Sequence, residues 1–154
     1  MPYLRYNLKM NLNDFKRVSV WLLGTIWALP MTAIGLLLGC GALALGARAS
    51  LSDSAVVFSR FRFLTSGALT LGQVILYTGT SLDAPAKTYH CVAFGGEDCV
   101  RIGTHEQAHV FQYMAFGIFF LPLYFLHGGI SHKNRFEKAA DRFGQTGVGW
   151  WPYT

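Results

Sequence analysis

The chain has 154 residues, enough for one domain and an anchor, and is 52% hydrophobic but only 14% charged. Soluble domains carry about 25% charged residues, so this composition indicates a membrane-associated protein. The net charge of +5 comes from scattered bases without interleaved stacking aromatics. Nucleic acid is therefore a poor candidate partner, and an anionic lipid surface is a better one.

The N-terminal part combines a polar, basic leader, residues 1–17, with the uncharged run 18–47. A membrane-spanning helix needs about 20 apolar residues, whereas the apolar core of a signal peptide has about 7–15. We therefore expect a retained membrane anchor, with a cleaved signal peptide as the alternative. Pro30 is expected to kink this helix or divide it in two, and Gly35 and Gly39 offer small faces for another helix.

The basic leader also predicts an orientation. Positively charged flanks stay on the cytoplasmic side, so we expect an inner (cytoplasmic) membrane protein with its N-terminus in the cytoplasm. With one crossing, residues 48–154 are then extracytoplasmic, or periplasmic. Three arginines on the other side of the run, Arg48, Arg60 and Arg62, weaken this prediction.

After the anchor the pattern is that of strands. Residues 55–64 and 68–78 are predicted as the two strands of a hairpin, with residues 65–67 as its turn. The strand period shows in Phe61 and Phe63, which alternate with arginines. This segment predicts a small β-hairpin at the beginning of the domain.

A second hairpin is predicted around Gly95 and Gly96, from residues 89–94 and 99–102. Cys91 and Cys99 flank its turn. They form a disulfide if the compartment is oxidising, and two unpaired thiols otherwise. A redox protein built on this pair is a third and weaker functional reading, because the eight-residue spacing matches no redox motif.

From Thr104, the predicted N-cap, the pattern changes to helix. The apolar segment 110–126 is about 17 residues long, at the short limit for a membrane span, and Pro122 interrupts it. We interpret it as a buried or interfacial helix followed by a turn, with a second crossing as the alternative. The aromatic tail around Trp150 and Trp151 suits a membrane interface or packs onto the domain. The predicted fold class is therefore α+β with an N-terminal transmembrane helix.

The predicted helix begins with an HExxH motif, formed by His105, Glu106 and His109. Residues four apart share one face of a helix, so both imidazoles can reach one metal ion. Zn–N bonds of 2.0–2.1 Å leave little slack, which is why the chemistry needs this spacing. The glutamate projects beside them and can take a proton from an attacking water.

A second segment strengthens this reading, because Glu137 and Asp141 are four apart and share a helical face. The combination resembles the gluzincins, the thermolysin-like zinc peptidases, in which HExxH is followed by a glutamate ligand and an aspartate four residues later. The resemblance implies a zincin-like domain in residues 48–154, with Glu137 as the third zinc ligand and Asp141 hydrogen-bonded to His105. Such a partner fixes the tautomer of a ligating histidine and raises its basicity.

Most of the chain after the anchor also looks like a group of small bacterial membrane proteins. They share HExxHxxQY, a Gly-x-x-F-x-P-x-Y turn and an N-x-F-E-x-x-A segment, which correspond here to residues 105–113, 117–124 and 134–140. The resemblance implies the metal site more strongly than any reaction. The chain is too short for the second lobe of thermolysin, so the substrate cleft is in doubt.

Hydrolysis would also need a group that stabilises the oxyanion. The candidates are His127, which we name as the catalytic candidate beside Glu106, and three further side chains, His132, Tyr124 and Tyr113. Gln112 lies near the site face of the helix, where it can hydrogen-bond a ligand or the backbone.

The sequence predicts a membrane-bound zinc-dependent metallopeptidase or related hydrolase that acts on a peptide substrate. The alternative is a non-catalytic accessory subunit of a larger membrane complex, with a structural or vestigial zinc site. Its partners would be the lipid bilayer and other membrane subunits, contacted through the anchor and the aromatic segment 111–125. An open fourth metal position would favour the enzyme.

Overall fold

The computed structural model describes residues 12–86, 88–89 and 100–154. These residues form long helices and a small mixed sheet, which confirms the predicted α+β class and the long apolar N-terminal helix. The helices whose bounds lie within these residues are α1 (Leu12–Leu43), α2 (Ile102–Phe116), α3 (Phe120–Leu126) and α4 (Arg135–Thr146). The strands are β1 (Arg48–Leu51), β2 (Val56–Ser59), β3 (Ala68–Leu71), β4 (Val74–Tyr77), β5 (Pro85–Ala86) and β6 (Val100–Arg101).

The larger sheet has the strand order β1-β2-β4-β3. Strands β1 and β2 are antiparallel, as are β3 and β4, and the two hairpins join through a parallel pair, β2 with β4. The predicted antiparallel hairpin of 55–64 with 68–78 is therefore wrong. Residues 68–78 contain two strands, and only the second one pairs with β2.

Two backbone positions explain this difference. Gly72 has a φ of +60°, and Leu71 lies directly opposite Val74, so a two-residue turn divides the predicted second strand. A positive φ at the first turn position is typical of the type II′ hairpin turn and favours glycine. In the predicted first strand, Arg60 has a φ of +58°, a left-handed conformation that ends β2 after Ser59.

Helix α1 is continuous through Pro30, so the chain does not divide there. One stripe of the helix is buried against the domain, and small residues in that stripe allow close approach. Gly35 lies against Val74, and Gly39 lies against the ring of Phe58. The glycines predicted to receive another helix therefore receive strands β4 and β2. A side chain at either position would collide with these residues.

Polar contacts also join α1 to the sheet. The backbone N–H of Gln73, in the β3–β4 turn, donates to Thr32 Oγ1 at 3.0 Å, and its side-chain amide donates to Thr25 Oγ1 at 3.3 Å. Thr32 itself donates to the carbonyl of Ala28 at 3.0 Å. The hydroxyls of Thr25 and Thr32 thus have partners in the domain, and Thr32, which is buried, also bonds the helix backbone, as buried polar groups require.

The opposite face of α1 is apolar and exposed, including Leu23 at 66% and Leu37 at 75%. Two helical segments are long and apolar enough to cross a membrane, Asn13–Leu43 and Ile102–Leu126. Length and composition are compatible with a membrane for both segments. The second comprises α2, a 3-10 turn (Gly117–Phe119) and α3.

Helix α2 begins at Ile102, two residues before the predicted N-cap, and the hydroxyl of Thr104 instead donates to the carbonyl of Arg101 at 2.9 Å. The helix ends at Phe116, because the next residue, Gly117, has a φ of +56° and its backbone lies close to the Trp27 side chain of α1. The predicted break at Pro122 is therefore misplaced. This proline lies in the first turn of α3, where its missing N–H is tolerated.

Helices α2, α3 and α4 meet in an aromatic core in which Tyr113, Phe120 and Phe136 are at most 4% exposed. This core fixes α4 against α2, which is the arrangement that brings the candidate ligands together.

The turn of the predicted hairpin, with Gly95 and Gly96, and the cysteine pair Cys91 and Cys99 lie outside the described residues. The second predicted strand of that hairpin contains β6, which pairs with β5.

Candidate metal centre

The two histidines of the HExxH motif lie one helical turn apart on α2. His105 and His109 are 4% and 7% exposed, and their Nε2 atoms are 3.2 Å apart. The i, i+4 spacing places both rings on one helical face, as the sequence predicted.

Glu137 joins them from α4, with Oε2 at 3.3 Å from His105 Nε2 and Oε1 at 3.5 Å from His109 Nε2. Its position is set by the beginning of the helix. The buried side chain of Asn134 caps α4 by accepting from the backbone N–H of Phe136 at 2.9 Å, and it donates to the carbonyl of Gly129 at 2.7 Å. The three residues form a buried group that could hold a metal ion.

The spacing of these atoms fits a small tetrahedral ion. Four ligands at 2.0–2.1 Å from such an ion lie about 3.3 Å from one another. The three distances among His105, His109 and Glu137 are 3.2, 3.3 and 3.5 Å. The donor atoms therefore already stand close to the separation that coordination requires.

His105 is held from the side opposite Glu137. Its Nδ1 lies 2.8 Å from Asp141 Oδ1, one turn further along α4. The other oxygen of that carboxylate accepts a hydrogen bond from the hydroxyl of Thr88 at 2.8 Å. A carboxylate here requires a proton on Nδ1, which leaves the Nε2 lone pair free for a metal.

His109 is held by a neutral amide. Its Nδ1 lies 2.8 Å from Oε1 of Gln112, while the amide nitrogen of Gln112 donates to the carbonyls of Phe136 and Trp150 at 3.2 and 2.9 Å. Two carbonyl acceptors fix which end of the amide faces the ring, because a carbonyl cannot donate. The proton of a neutral His109 is therefore on Nδ1, and its Nε2 is also an acceptor.

The site is consequently built of acceptors and buried negative charge. Glu106, Glu137 and Asp141 are at most 5% exposed, and no buried residue of the described chain is lysine or arginine. Buried carboxylates require a compensating cation. Burial opposes ionisation of Glu137, but the positive charge of the facing His109 and His105, when these imidazoles carry a second proton, outweighs it and holds the pKa of this carboxyl well below its usual range. A divalent cation would replace those protons as the compensating positive charge.

Glu106 lies beside the ligands and lines the same cleft. Its Oε2 accepts a hydrogen bond from the hydroxyl of Thr70 on β3 at 2.7 Å, which orients the carboxylate. The cleft has a volume of about 710 Å³ and is walled by β3, α3, α4 and Tyr89. Ligand sites usually measure about 300–1,000 Å³, so the space suffices for a small substrate or a short peptide segment.

The four candidates for the oxyanion role are placed very differently. Tyr124 lines the cleft, and its hydroxyl donates to Glu137 Oε1 at 2.6 Å. The Tyr113 hydroxyl is buried, and none of the described residues is its hydrogen-bond partner. His127 does not line the cleft: its Nδ1 faces the carbonyl of Leu123 at 2.8 Å, and its ring packs against Phe136. His132 is exposed in the loop before α4.

Sequence reasoning missed Thr70 and Thr88, and it left the role of Gln112 open. The two threonines lie 36 and 53 residues from the carboxylates that they contact. No local pattern marks a contact of this kind. The amide of Gln112 does bond the backbone, and with its other end it faces His109.

We found no match to this chain among protein-family models, curated proteins or solved structures. The resemblance to gluzincins accordingly rests on the motif residues alone, and the geometry of the site is an observation independent of it.

Proposed function

We propose that the protein is a membrane-bound, zinc-dependent hydrolase of the metallopeptidase type. The observation that carries the proposal is the convergence of His105, His109 and Glu137 at 3.2–3.5 Å beside a cleft that Glu106 lines. Three protein ligands with a fourth position toward a cleft are the pattern of catalytic zinc sites, whereas structural sites use four.

Zinc fits the donor set better than Mg²⁺ or Ca²⁺. Two imidazoles and one carboxylate suit Zn²⁺, whereas Mg²⁺ and Ca²⁺ prefer oxygen ligands throughout. A zinc ion held there would polarise the scissile carbonyl and lower the pKa of the attacking water. Asp141 and Gln112 orient the two imidazoles through Nδ1, which would leave both Nε2 atoms available to hold the ion.

The other residues of the site serve the proton and the developing charge. Glu106, oriented by Thr70, would accept the proton of the attacking water and pass it to the leaving nitrogen. The phenol of Tyr124 is the oxyanion candidate of the four that lies in the cleft. Its hydroxyl donates its single proton to the ligand carboxylate, and it would have to turn from Glu137 to stabilise the negative oxygen.

A peptide is the substrate class that the cleft favours. Residues 66–70 line it, and they include most of β3, which stands at the end of the strand order within the described sheet. An extended peptide can add to such an edge through backbone hydrogen bonds. The aromatic and apolar side chains Leu121, Phe125 and Ile130 on the other wall would accept side chains of the substrate.

Membrane attachment is part of the proposal. It rests on α1, whose outer face is apolar and exposed, and on the basic residues that precede the uncharged run. We expect the inner membrane with a cytoplasmic N-terminus, by the distribution of positive charge. Intact protein in the membrane fraction after alkaline carbonate extraction would support this expectation.

An accessory subunit with a non-catalytic zinc site is the second candidate. It is favoured by two apolar side chains of the 3-10 turn, Ile118 and Phe119, which are 47% and 54% exposed. The ring of Phe119 lies next to Trp27 of α1. Such an apolar surface can contact another membrane subunit. In this case Glu106 would have no proton to transfer.

The two candidates differ in the effect of Glu106→Gln, measured on the full chain in detergent with a mixture of fluorescence-quenched peptides and with zinc content in parallel. A peptidase should keep its zinc and lose about 10²–10⁴-fold in turnover, because the amide cannot accept the proton. The exposed Asp53→Asn serves as the matched control and should retain full turnover. Equal turnover of the Glu106→Gln variant and wild type would exclude the peptidase.

A further inference from the structure

A second concave site lies on the side of α2 that faces away from the metal ligands. It is a groove of about 610 Å³ between α1, α2 and the C-terminal tail. Its lining residues are Lys16, Arg17, Val20, Trp21, Gly24, Phe111, Met114, Ala115 and Trp150. This volume again falls in the usual range for ligand sites, about 300–1,000 Å³.

The lining has two chemically distinct parts. The walls are aromatic and aliphatic, and the ring of Phe111 contacts Phe143 edge-on and Trp150 at a tilt, at 5.5 and 5.9 Å between centroids. At one end stand the exposed basic side chains of Lys16 and Arg17. An occupant complementary to both parts has a long apolar chain and an anionic head.

The position of the two bases matches the place of a lipid headgroup. Lys16 and Arg17 directly precede the uncharged run 18–47, and the groove then follows α1 toward its apolar middle through Val20 and Gly24. In a bilayer, basic residues collect at the headgroups of anionic lipids, and each contributes about 1 kcal/mol, or roughly fivefold in affinity.

The groove is separate from the metal site. Phe111, Met114 and Ala115 project from the side of α2 opposite His105 and His109, because 3.6 residues complete one turn. The link between the sites is Trp150, whose ring lines the groove and whose carbonyl accepts from Gln112. The groove can therefore be altered by substitution without touching a ligand or Glu106.

We propose that this groove binds one anionic phospholipid, with an acyl chain along Trp21, Phe111 and Trp150 and with its phosphate at Lys16 and Arg17. The proposal uses the membrane association argued above but not the metal chemistry. Loss of zinc or of hydrolysis therefore leaves it untouched, and membrane association itself is tested separately by carbonate extraction.

Native mass spectrometry of the full chain in detergent micelles tests the proposal, with phosphatidylglycerol and phosphatidylcholine titrated as probes. We expect a single phosphatidylglycerol adduct that forms at lower concentration than any phosphatidylcholine adduct. The double variant Lys16→Gln/Arg17→Gln should weaken it about 25-fold, at roughly fivefold for each base. The variant Lys133→Gln/Lys138→Gln removes the same charge at exposed positions elsewhere and should bind normally.

A substitution within the groove tests the apolar part. Ala115 is exposed at the groove surface, so Ala115→Trp should fill the space and remove the adduct while zinc content stays at the wild-type value. Equal binding of the two lipids, or an unchanged adduct in the Lys16→Gln/Arg17→Gln variant, would overturn the proposal. A dimer that disappears in Ala115→Trp would also overturn it, because the occupant would then be a second copy of this chain.

Discussion

The two imidazoles of the candidate metal centre are held by different regions of the molecule. His105 faces a buried carboxylate, Asp141, which a threonine hydroxyl holds from the other side. His109 faces the neutral amide of Gln112, which is fixed by carbonyls of α4 and of the C-terminal tail. One ligand is thus oriented by charge and the other by backbone geometry.

The difference follows from the charge already present. The site contains three buried carboxylates, Glu106, Glu137 and Asp141, whose negative charge already exceeds the charge of one divalent cation, and a fourth beside His109 would increase that excess. A neutral amide orients the imidazole without adding charge. We therefore expect the two supports to contribute unequally to metal affinity, with the charged one contributing more.

The largest effect is expected from the charged support. Asp141→Ala should weaken zinc binding about 10–100-fold, the usual loss when a partner of a ligating histidine is removed. Asp141→Asn can keep the hydrogen bond while it removes the charge, so it should give an intermediate loss. Zinc affinity is measured by competition with a chelator, and exposed Asp83→Ala is the matched control. Unchanged affinity in Asp141→Ala would mean that α4 does not support His105.

A smaller effect on zinc is expected from the neutral support. Gln112→Ala should weaken zinc binding by about tenfold, at the lower end of the same range. It should also lower the free energy of unfolding by about 1–3 kcal/mol, because it removes the hydrogen bonds that the carbonyls of Phe136 and Trp150 accept from a buried side chain. Gln107→Ala, on the same helix but partly exposed, is the control. A larger zinc loss in Gln112→Ala than in Asp141→Ala would reverse the proposed ranking.

No effect on catalysis is expected from His127, although sequence position made it a candidate. Its ring packs on Phe136 and Tyr153 outside the cleft, so His127→Ala should lower thermal stability but leave zinc content and kcat unchanged. Tyr124→Phe provides the comparison within the cleft and should lower kcat. A tenfold fall in kcat for folded, zinc-loaded His127→Ala protein would show that substrate reaches this side chain.

The sequence predicted the parts of the site that depend on local geometry. The i, i+4 pairs on α2 and α4 follow from helical spacing alone, so His105 and His109 were found together, as were Glu137 and Asp141. Which face of α4 meets α2 depends on the aromatic core. The prediction that Glu137 and Asp141 face the two histidines came from the resemblance to gluzincins. The amide network of Gln112 depends on where the C-terminal tail folds, which no local pattern encodes.

The sheet shows where the sequence pattern did not predict the structure. The alternation at Phe61 and Phe63 indicated a strand, but the left-handed backbone at Arg60 had already ended β2. Gly72 was part of a continuous strand pattern, although it forms a turn against Thr32 of α1. The glycines of α1 indicated close packing correctly but not the partner, because small residues admit a strand as readily as a helix.

The most direct test of the account is the metal content and zinc X-ray absorption of the full chain, purified without chelators, beside His109→Ala and Glu137→Ala. The account predicts about one zinc ion per chain, with nitrogen and oxygen ligands at about 2.0–2.2 Å, and loss of the ion in both variants. A wild-type chain that binds no zinc at saturating concentration, or variants that retain it unchanged, would contradict the assignment of His105, His109 and Glu137 as a metal centre.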